Sequence, residues 1–270
     1  LKSTEEVKQK DPQASWKEIH KICGECPWPQ PVGWQSPFRP NGLHETMIRR
    51  IAPYSLRGFL YYQGEEDVQR YADYSDMMQM LVKQWRMDWN DWNLPFLFVQ
   101  LPMYLADGEK DDSYWALQRE QQYIASMMIQ NAGMISLADC GEYDNIHPLD
   151  KKTPGERLFQ LAKNLVYDKQ GTITATAAQL FSDNGKLYVT FDHLHEKLVM
   201  QTANGCPFEI SGEDNLFYPA KADVIHGNML CISNPAVKFP SAVKYAWYNF
   251  GEAVLFTESG NPVSPFFKCV

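Results

Sequence analysis

Between Leu56 and about Asp168 the chain alternates short apolar runs with segments of helical periodicity, and this alternation restricts the fold more than any other feature. Strands joined through crossover helices run parallel, and a parallel sheet is covered on both faces, so its strands read as continuous apolar runs. Leu56–Tyr62, Phe96–Leu101 and Met134–Ala138 have that character and are expected to be strands. Helices are expected over Tyr71–Trp85, with Tyr74, Met77, Met78, Leu81 and Trp85 on one buried face, and over Trp115–Met128, with Leu117, Gln121, Ile124 and Met128 in line. A third helix is expected over Glu156–Tyr167.

Beyond Gly171 the helical period ends. An Asp183-Asn184-Gly185 turn precedes Leu187, Val189 and Phe191 at alternating positions, the signature of a hairpin. Upstream, Pro27, Pro29, Pro31, Pro37 and Pro40 crowd around Trp28 and Trp34, which reads as irregular chain. The expected organisation is therefore an irregular lead-in over 1–40, an α/β domain over 41–170 and a β-rich domain over 171–270.

Composition narrows the function. With 25 basic against 33 acidic residues the formal net charge is −8, which argues against a phosphate-tracking nucleic-acid binder, since such proteins need a basic face. Leu94–Ala106, the longest uncharged apolar stretch, contains Pro95, Gln100 and Pro102 and is shorter than the roughly 20 residues of a spanning helix, so no membrane span is expected. Leu1 stands where an initiator Met or a signal peptide is normally found, so the chain is expected to be a fragment or a processed form. Its 6 cysteines are too scattered for a disulfide scaffold.

In open parallel sheets, ligands bind at the carboxyl ends of the strands. That rule selects Gln63–Gln69, Pro102–Tyr114 and Asp139–Lys151. The last of these carries Asp144 three residues before His147. In acyl transfer a histidine takes the nucleophile's proton while a carboxylate orients it; the plain alternative is a surface or packing histidine. Gln63-Gly64-Glu65 ends the first strand. A rigid side-chain amide there can donate to an oxyanion, a contribution of about 2.7–4 kcal/mol, whereas the plain reading is a turn that satisfies its own amides. Other candidates are weaker. His20-x-x-Cys23-x-x-Cys26 lacks a second ligand pair, leaving free thiols, a disulfide or zinc open. His193 and His195 alternate as on one strand face and are read as structural surface, with a metal or pH site as the alternative. Tyr104, Trp28 and Trp34 are packing rings or sugar platforms, and Glu109–Asp112 is a solvated loop or a lid.

Five ordered blocks are similar to the sialate O-acetylesterase family of SGNH-type hydrolases. They are Gly58–Glu65, Trp85-Arg86 with Trp89, Leu94–Leu101, Leu117–Gln121 and Asp144–Pro148, and Val243–Asn249 with Ser259–Phe266 resemble the family's ending. The resemblance implies a three-layer parallel-sheet domain, N-terminally incomplete, followed by a β-rich unit. It also implies a serine esterase that removes O-acetyl groups from sialic acids or related sugars without metal or organic cofactor. Asp144 and His147 would be triad members, Gln63 an oxyanion or substrate contact beside Gly64, and Glu65 a brace for that loop. The family's Gly-Gln-Ser nucleophile block is not found here, and Ser36, its nearest imitation, sits beside proline rather than on a strand-to-helix turn. The serine is therefore expected outside this chain, on an N-terminal portion of the same protein. An acetylxylan-type esterase and a catalytically inactive carbohydrate-binding relative are the alternatives, and the family's substrates imply an extracytoplasmic location.

Overall fold

The structure of the protein, a computed structural model, describes residues 4–12, 18, 21–22, 39–52, 54–202 and 204–270. Leu1–Ser55 and Leu56–Val270 form two compact units. The first contains helix α1 (Thr4–Lys10) and a π-helical turn (His44–Ile48) that continues as Arg49–Ile51. His20, Cys23, Cys26, Trp28, Trp34 and Ser36 lie outside the described residues.

The second unit is built on parallel strands β1 (Phe59–Tyr61), β2 (Phe96–Gln100) and β3 (Ala132–Ser136), in that order across the sheet. Phe59 pairs with Phe96, and Phe96 in turn with Ala132. Every residue of β2 is buried, as a central strand covered on both faces requires. Its side chains alternate. Phe96 and Phe98 face a cluster with Tyr74, Met78 and Val82 of helix α2 (Tyr74–Asp88) and Tyr123 and Ala125 of helix α3 (Tyr114–Met128). Leu97 and Val99 face Leu158 and Leu161 of helix α4 (Lys152–Leu165) on the other side. Helices thus cover both faces of the sheet, the three-layer arrangement expected for an α/β fold.

Two helical faces differ from expectation. On α2 the buried residues are Tyr74, Ser75, Met78, Val82 and Arg86, and Met77 stands at the exposed margin. On α3 the buried face is Trp115, Ala116, Gln118, Arg119, Gln122, Tyr123 and Ala125, while Met128 is exposed. Part of the physical reason is that Arg86 of α2 and Gln122 of α3 are buried to satisfy backbone groups. Arg86 donates through Nε to Leu94 O (3.0 Å) and through a terminal nitrogen to Gln130 O (2.7 Å).

From Thr176 onward the chain is stranded, with antiparallel sheets β4-β5-β10-β9 and β13-β11-β7-β8 and a β12-β6 pair. These comprise β4 (Thr176–Asp183), β5 (Lys186–Asp192), β6 (Leu198–Met200), β7 (Phe208–Ser211), β8 (Tyr218–Pro219), β9 (Lys221–Ile225), β10 (Met229–Ser233), β11 (Ala242–Tyr245), β12 (Leu255–Thr257) and β13 (Phe266–Cys269). The β4–β5 hairpin turns at Asn184 and Gly185, both with positive φ (47° and 73°), as a two-residue hairpin turn demands. Leu187, Val189, Ile210, Leu230 and Val243 fill the core of these sheets, and Met103 and Ala138, just past β2 and β3, belong to the same cluster. The antiparallel core therefore reaches the carboxyl ends of the parallel strands.

Glu120 on α3 has a buried carboxylate oxygen with no hydrogen-bond partner. Burial pushes its pKa up to about 7, against the pull of Lys268. A carboxyl raised in the folded state supports folding below its unfolded value of about 4.3 and loses that support as pH rises through the folded value. Denaturation midpoints are expected to fall between pH 5 and pH 8 in the parent protein, about the span of that window, and to fall less in Glu120→Gln. Equal slopes would contradict this assignment.

Candidate active site

The loops leaving β1, β2 and β3 lie at one end of the sheet, where parallel strands present their ligand-binding edge. The loop after β3 is laid directly on the one after β2. A Cβ on Gly141 would sit 2.0 Å from Met103 O, closer than any side chain tolerates. Asp144 N donates to Leu105 O (2.9 Å), and Asp107 N donates to Asp144 Oδ1 (2.9 Å). The Tyr143 hydroxyl donates to Asp107 Oδ1 (3.0 Å). Asp144 adopts φ 55°, a left-handed conformation that Asp accepts more readily than most residues.

Two further clamps hold the β3 loop. Arg157 of α4 grips Asp139 with both terminal nitrogens, at 2.7 Å and 2.6 Å, and also donates to Ser136 O (2.9 Å). A bidentate guanidinium–carboxylate pair fixes orientation as well as position. Glu142 accepts from Leu149 N (2.6 Å) and Asn145 Nδ2 (2.7 Å), spanning the segment that holds His147. Those two donors hold the Glu142 carboxyl below its ordinary range. The neighbouring Cys140 thiol is pushed up to about 12 by burial and the charge of Asp139, so it is protonated at neutral pH and is not an activated nucleophile.

Asp144 and His147 are both exposed. One carboxylate oxygen of Asp144 is engaged by Asp107 N, and Oδ2 takes no hydrogen bond from the described residues. His147 is anchored by its backbone N–H to Asn145 Oδ1 (3.1 Å), and among the described residues no hydrogen bond joins its ring to Asp144. The expected pair thus shares one short loop without a hydrogen bond between the two side chains.

At the end of β1, Gln63 Oε1 accepts from the Tyr61 hydroxyl (2.9 Å) and Gln63 Nε2 donates to Asp67 Oδ2 (2.7 Å). The Gln63 carbonyl accepts from the Tyr74 hydroxyl (3.0 Å) and Gln122 Nε2 (3.3 Å). Gln122 also donates to Val99 O (3.2 Å) and accepts from Leu101 N (2.8 Å), tying the β1 loop to the end of β2. Gly64 has φ 148°, and a Cβ there would meet the amides of Gln118 and Gln122 and the Tyr74 hydroxyl within 3.3 Å. The bracing expected of Glu65 is performed instead by Asp67, which also accepts from Arg70 (3.1 Å). Asp67, Gln122, Glu142 and Arg157 were not singled out from sequence. Only Asp67 had a local signal, as a carboxylate one helical turn after Gln63.

The remaining candidates separate from this end. His193 and His195 do not lie on a strand face: β5 ends at Asp192, and they occupy the bend before β6, His193 with φ 60°. They line a polar cleft of about 710 Å³ with Gln160, Lys163 and Asn164, near the carboxyl end of α4, whereas the β3 loop leads into its amino end. Among the described residues no group of three His, Cys, Asp or Glu side chains converges as a metal site. Tyr104 packs its ring on Trp115 at 5.0 Å.

The loops at the carboxyl edge of the parallel sheet thus carry Gln63 after β1 and Asp144 and His147 after β3. Residues 31–164 match the carbohydrate esterase family of sialic acid-specific acetylesterases, and through that region the chain is similar to these carboxylic ester hydrolases. Sialate O-acetylesterase from Mus musculus is 27% identical over 85% of this chain and 47% of its own length. The Homo sapiens enzyme is 25% identical over 70% of this chain and 39% of its own length. The crystal structure of a carbohydrate acetylesterase from Xanthomonas citri superposes with TM-score 0.78 at 32% identity, covering 84% of this chain and 53% of that one. The chain spans about half the length of the curated relatives it matches. No helix among the described residues is long and apolar enough to cross a membrane.

Gly141→Ala cannot be accommodated without parting the two loops, since the obstructing atoms are backbone. Hydrogen-exchange protection of the Asp144 and Leu149 amides is expected to be lost in that variant. Retained protection at both would show that the loop contact is not required.

Proposed function

We propose that this chain supplies the acid–base half of a carbohydrate O-acetylesterase acting on sialic acids or related acetylated sugars, with the serine nucleophile on a portion of the protein outside it. The observation that carries the reading is Asp144-Asn-Ile-His147 on the β3 loop of a chain whose residues 31–164 match the acetylesterase family.

In this reading the serine hydroxyl attacks the acetyl carbonyl and His147 accepts its proton. The tetrahedral intermediate collapses, its bond to the sugar oxygen breaks, and His147 returns the proton to that oxygen. Water, deprotonated by the same imidazole, then attacks the acetyl-serine; its bond to the serine oxygen breaks, that oxygen takes the proton back from His147, and acetate is released. Asp144 orients the imidazole and stabilises its cation through Oδ2, the oxygen left over from the Asp107 contact. That requires His147 to swing toward Asp144 when substrate is bound, a movement its exposed position permits.

Gln63 suits the oxyanion. An amide nitrogen carries two hydrogens; one is given to Asp67, which fixes the plane of the amide and leaves the other for the substrate oxygen. Rigidity of this kind makes a donor effective in the transition state. Gly64 admits close approach, and Glu65 adds negative charge that bears on Tyr61 and Tyr62, whose hydroxyls are pushed up to about 12, chiefly by burial. An extracytoplasmic location fits glycan substrates.

In the full-length protein, His147→Ala is expected to reduce kcat on a small aryl acetate by roughly a thousandfold or more, in line with loss of a triad base. Acetate release from 9-O-acetyl sialic acid and acetylxylan, measured in parallel, separates the two substrate classes. Undiminished turnover in the His147 variant would overturn the assignment, as would glycan binding without any ester hydrolysis by the parent.

A further inference from the structure

The segment Tyr248–Phe250, far along the chain in the stranded region, reaches helix α3 and the site loops through three consecutive residues. The Tyr248 carbonyl accepts from the guanidinium of Arg119, which is only 1% exposed. Phe250 packs edge-on against Tyr143 at 5.6 Å, one residue before Asp144. Between them stands Asn249, buried at 7% exposure.

Every polar group of Asn249 is spent on the β2–α3 loop. Tyr104 N donates to its carbonyl (2.8 Å), and Trp115 N donates to its Oδ1 (2.9 Å). Its own N–H donates to Asp111 Oδ2 (2.7 Å), and its Nδ2 donates to Asp112 Oδ1 (2.9 Å). One residue therefore pins both ends of the loop from Tyr104 to Trp115. Glu109–Asp112 is an exposed, solvated loop, and within it Asp111 and Asp112 form a latch, because they also receive the backbone of Ser113 (2.9 Å) and Tyr114 (3.0 Å).

The pinned loop is also what holds Asp144. Leu105 O receives Asp144 N, and Asp107 N occupies Asp144 Oδ1. The finger that presents Asn249 is itself rigid at its base, where the buried Tyr245 hydroxyl accepts from Val254 N (3.0 Å) and Leu255 N (2.8 Å).

We propose that Asn249 is a positioning residue for the esterase site, which sets the Asp144 carboxylate through the 104–115 loop and makes the C-terminal strands part of the catalytic apparatus. This inference rests on the reading of Asp144 and His147 given above. An error of about 1 Å in a catalytic group can cost on the order of a hundredfold in rate, so a chain of short contacts ending on Asp144 bears directly on turnover.

The test compares Asn249→Ala, Asp112→Ala and His147→Ala in the full-length protein, with kcat and KM on an aryl acetate and site-resolved hydrogen exchange. Asp112 lies on an exposed loop, so its removal probes the latch even where Asn249→Ala does not fold. The expected result is a kcat lowered by roughly tenfold to a hundredfold in both latch variants. KM should stay near its parent value, and exchange should be faster at Asp107 and Asp144 but not in the β4–β5 hairpin. If His147→Ala abolishes turnover while the latch variants keep the parent kcat, the inference is wrong. If His147→Ala leaves turnover intact, it is the assignment of the site that fails.

Discussion

The contact of backbone on backbone between Gly141 and Met103 is the constraint around which this end of the molecule is arranged. A parallel sheet projects its loops beyond the last ladder hydrogen bond, where strand pairing no longer supports them. The β3 loop gains its support by lying against the exit of β2, which only a residue without a side chain permits. Once that approach is made, Leu105 O meets Asp144 N and Asp107 N meets the Asp144 carboxylate. Placement of the acidic side chain is thus a consequence of a close packing contact several residues away.

Rigidity reaches the site from two directions. Beneath the β1 loop, Gln122 ties Gln63 O to the ends of β2, and Tyr74 adds a second donor. Burial of amides this deep is favourable only because nearly every polar atom of Gln122 finds a partner. From the other side, Met103 and Ala138 enter the core of the antiparallel sheets, and Tyr248–Phe250 reach back over the β2–α3 loop. The stranded region and the parallel sheet belong to the same compact unit, Leu56–Val270, and these contacts give a physical reason for that union.

Much of this was legible in sequence. The apolar runs of β1, β2 and β3 stand out because both faces of such strands are buried, and the Asn184-Gly185 turn is legible because few residues accept its backbone angles. The loop windows followed from the strands, and Asp144 and His147 from the loops. The buried face of α3 was not legible. Periodicity put Leu117, Gln121, Ile124 and Met128 in line, whereas the helix turns Gln118, Arg119 and Gln122 to the core. Arg119 and Gln122 find partners distant in sequence, such as Tyr248 for Arg119 and Gln63 for Gln122, and no local pattern encodes them. Asn249 is hidden for the same reason, since its value lies in bonds to residues 104–115.

The central claim is that His147 and Asp144 act together on an ester held by a serine elsewhere in the protein. A crystal structure of the full-length protein after reaction with a serine-directed phosphonate tests it most directly. The account predicts a phosphonylated serine with its phosphorus oxygens beside the His147 ring and the Gln63 amide, and with His147 hydrogen-bonded to Asp144 Oδ2. A phosphonate seated away from His147, with Asp144 and the imidazole still apart, would contradict it.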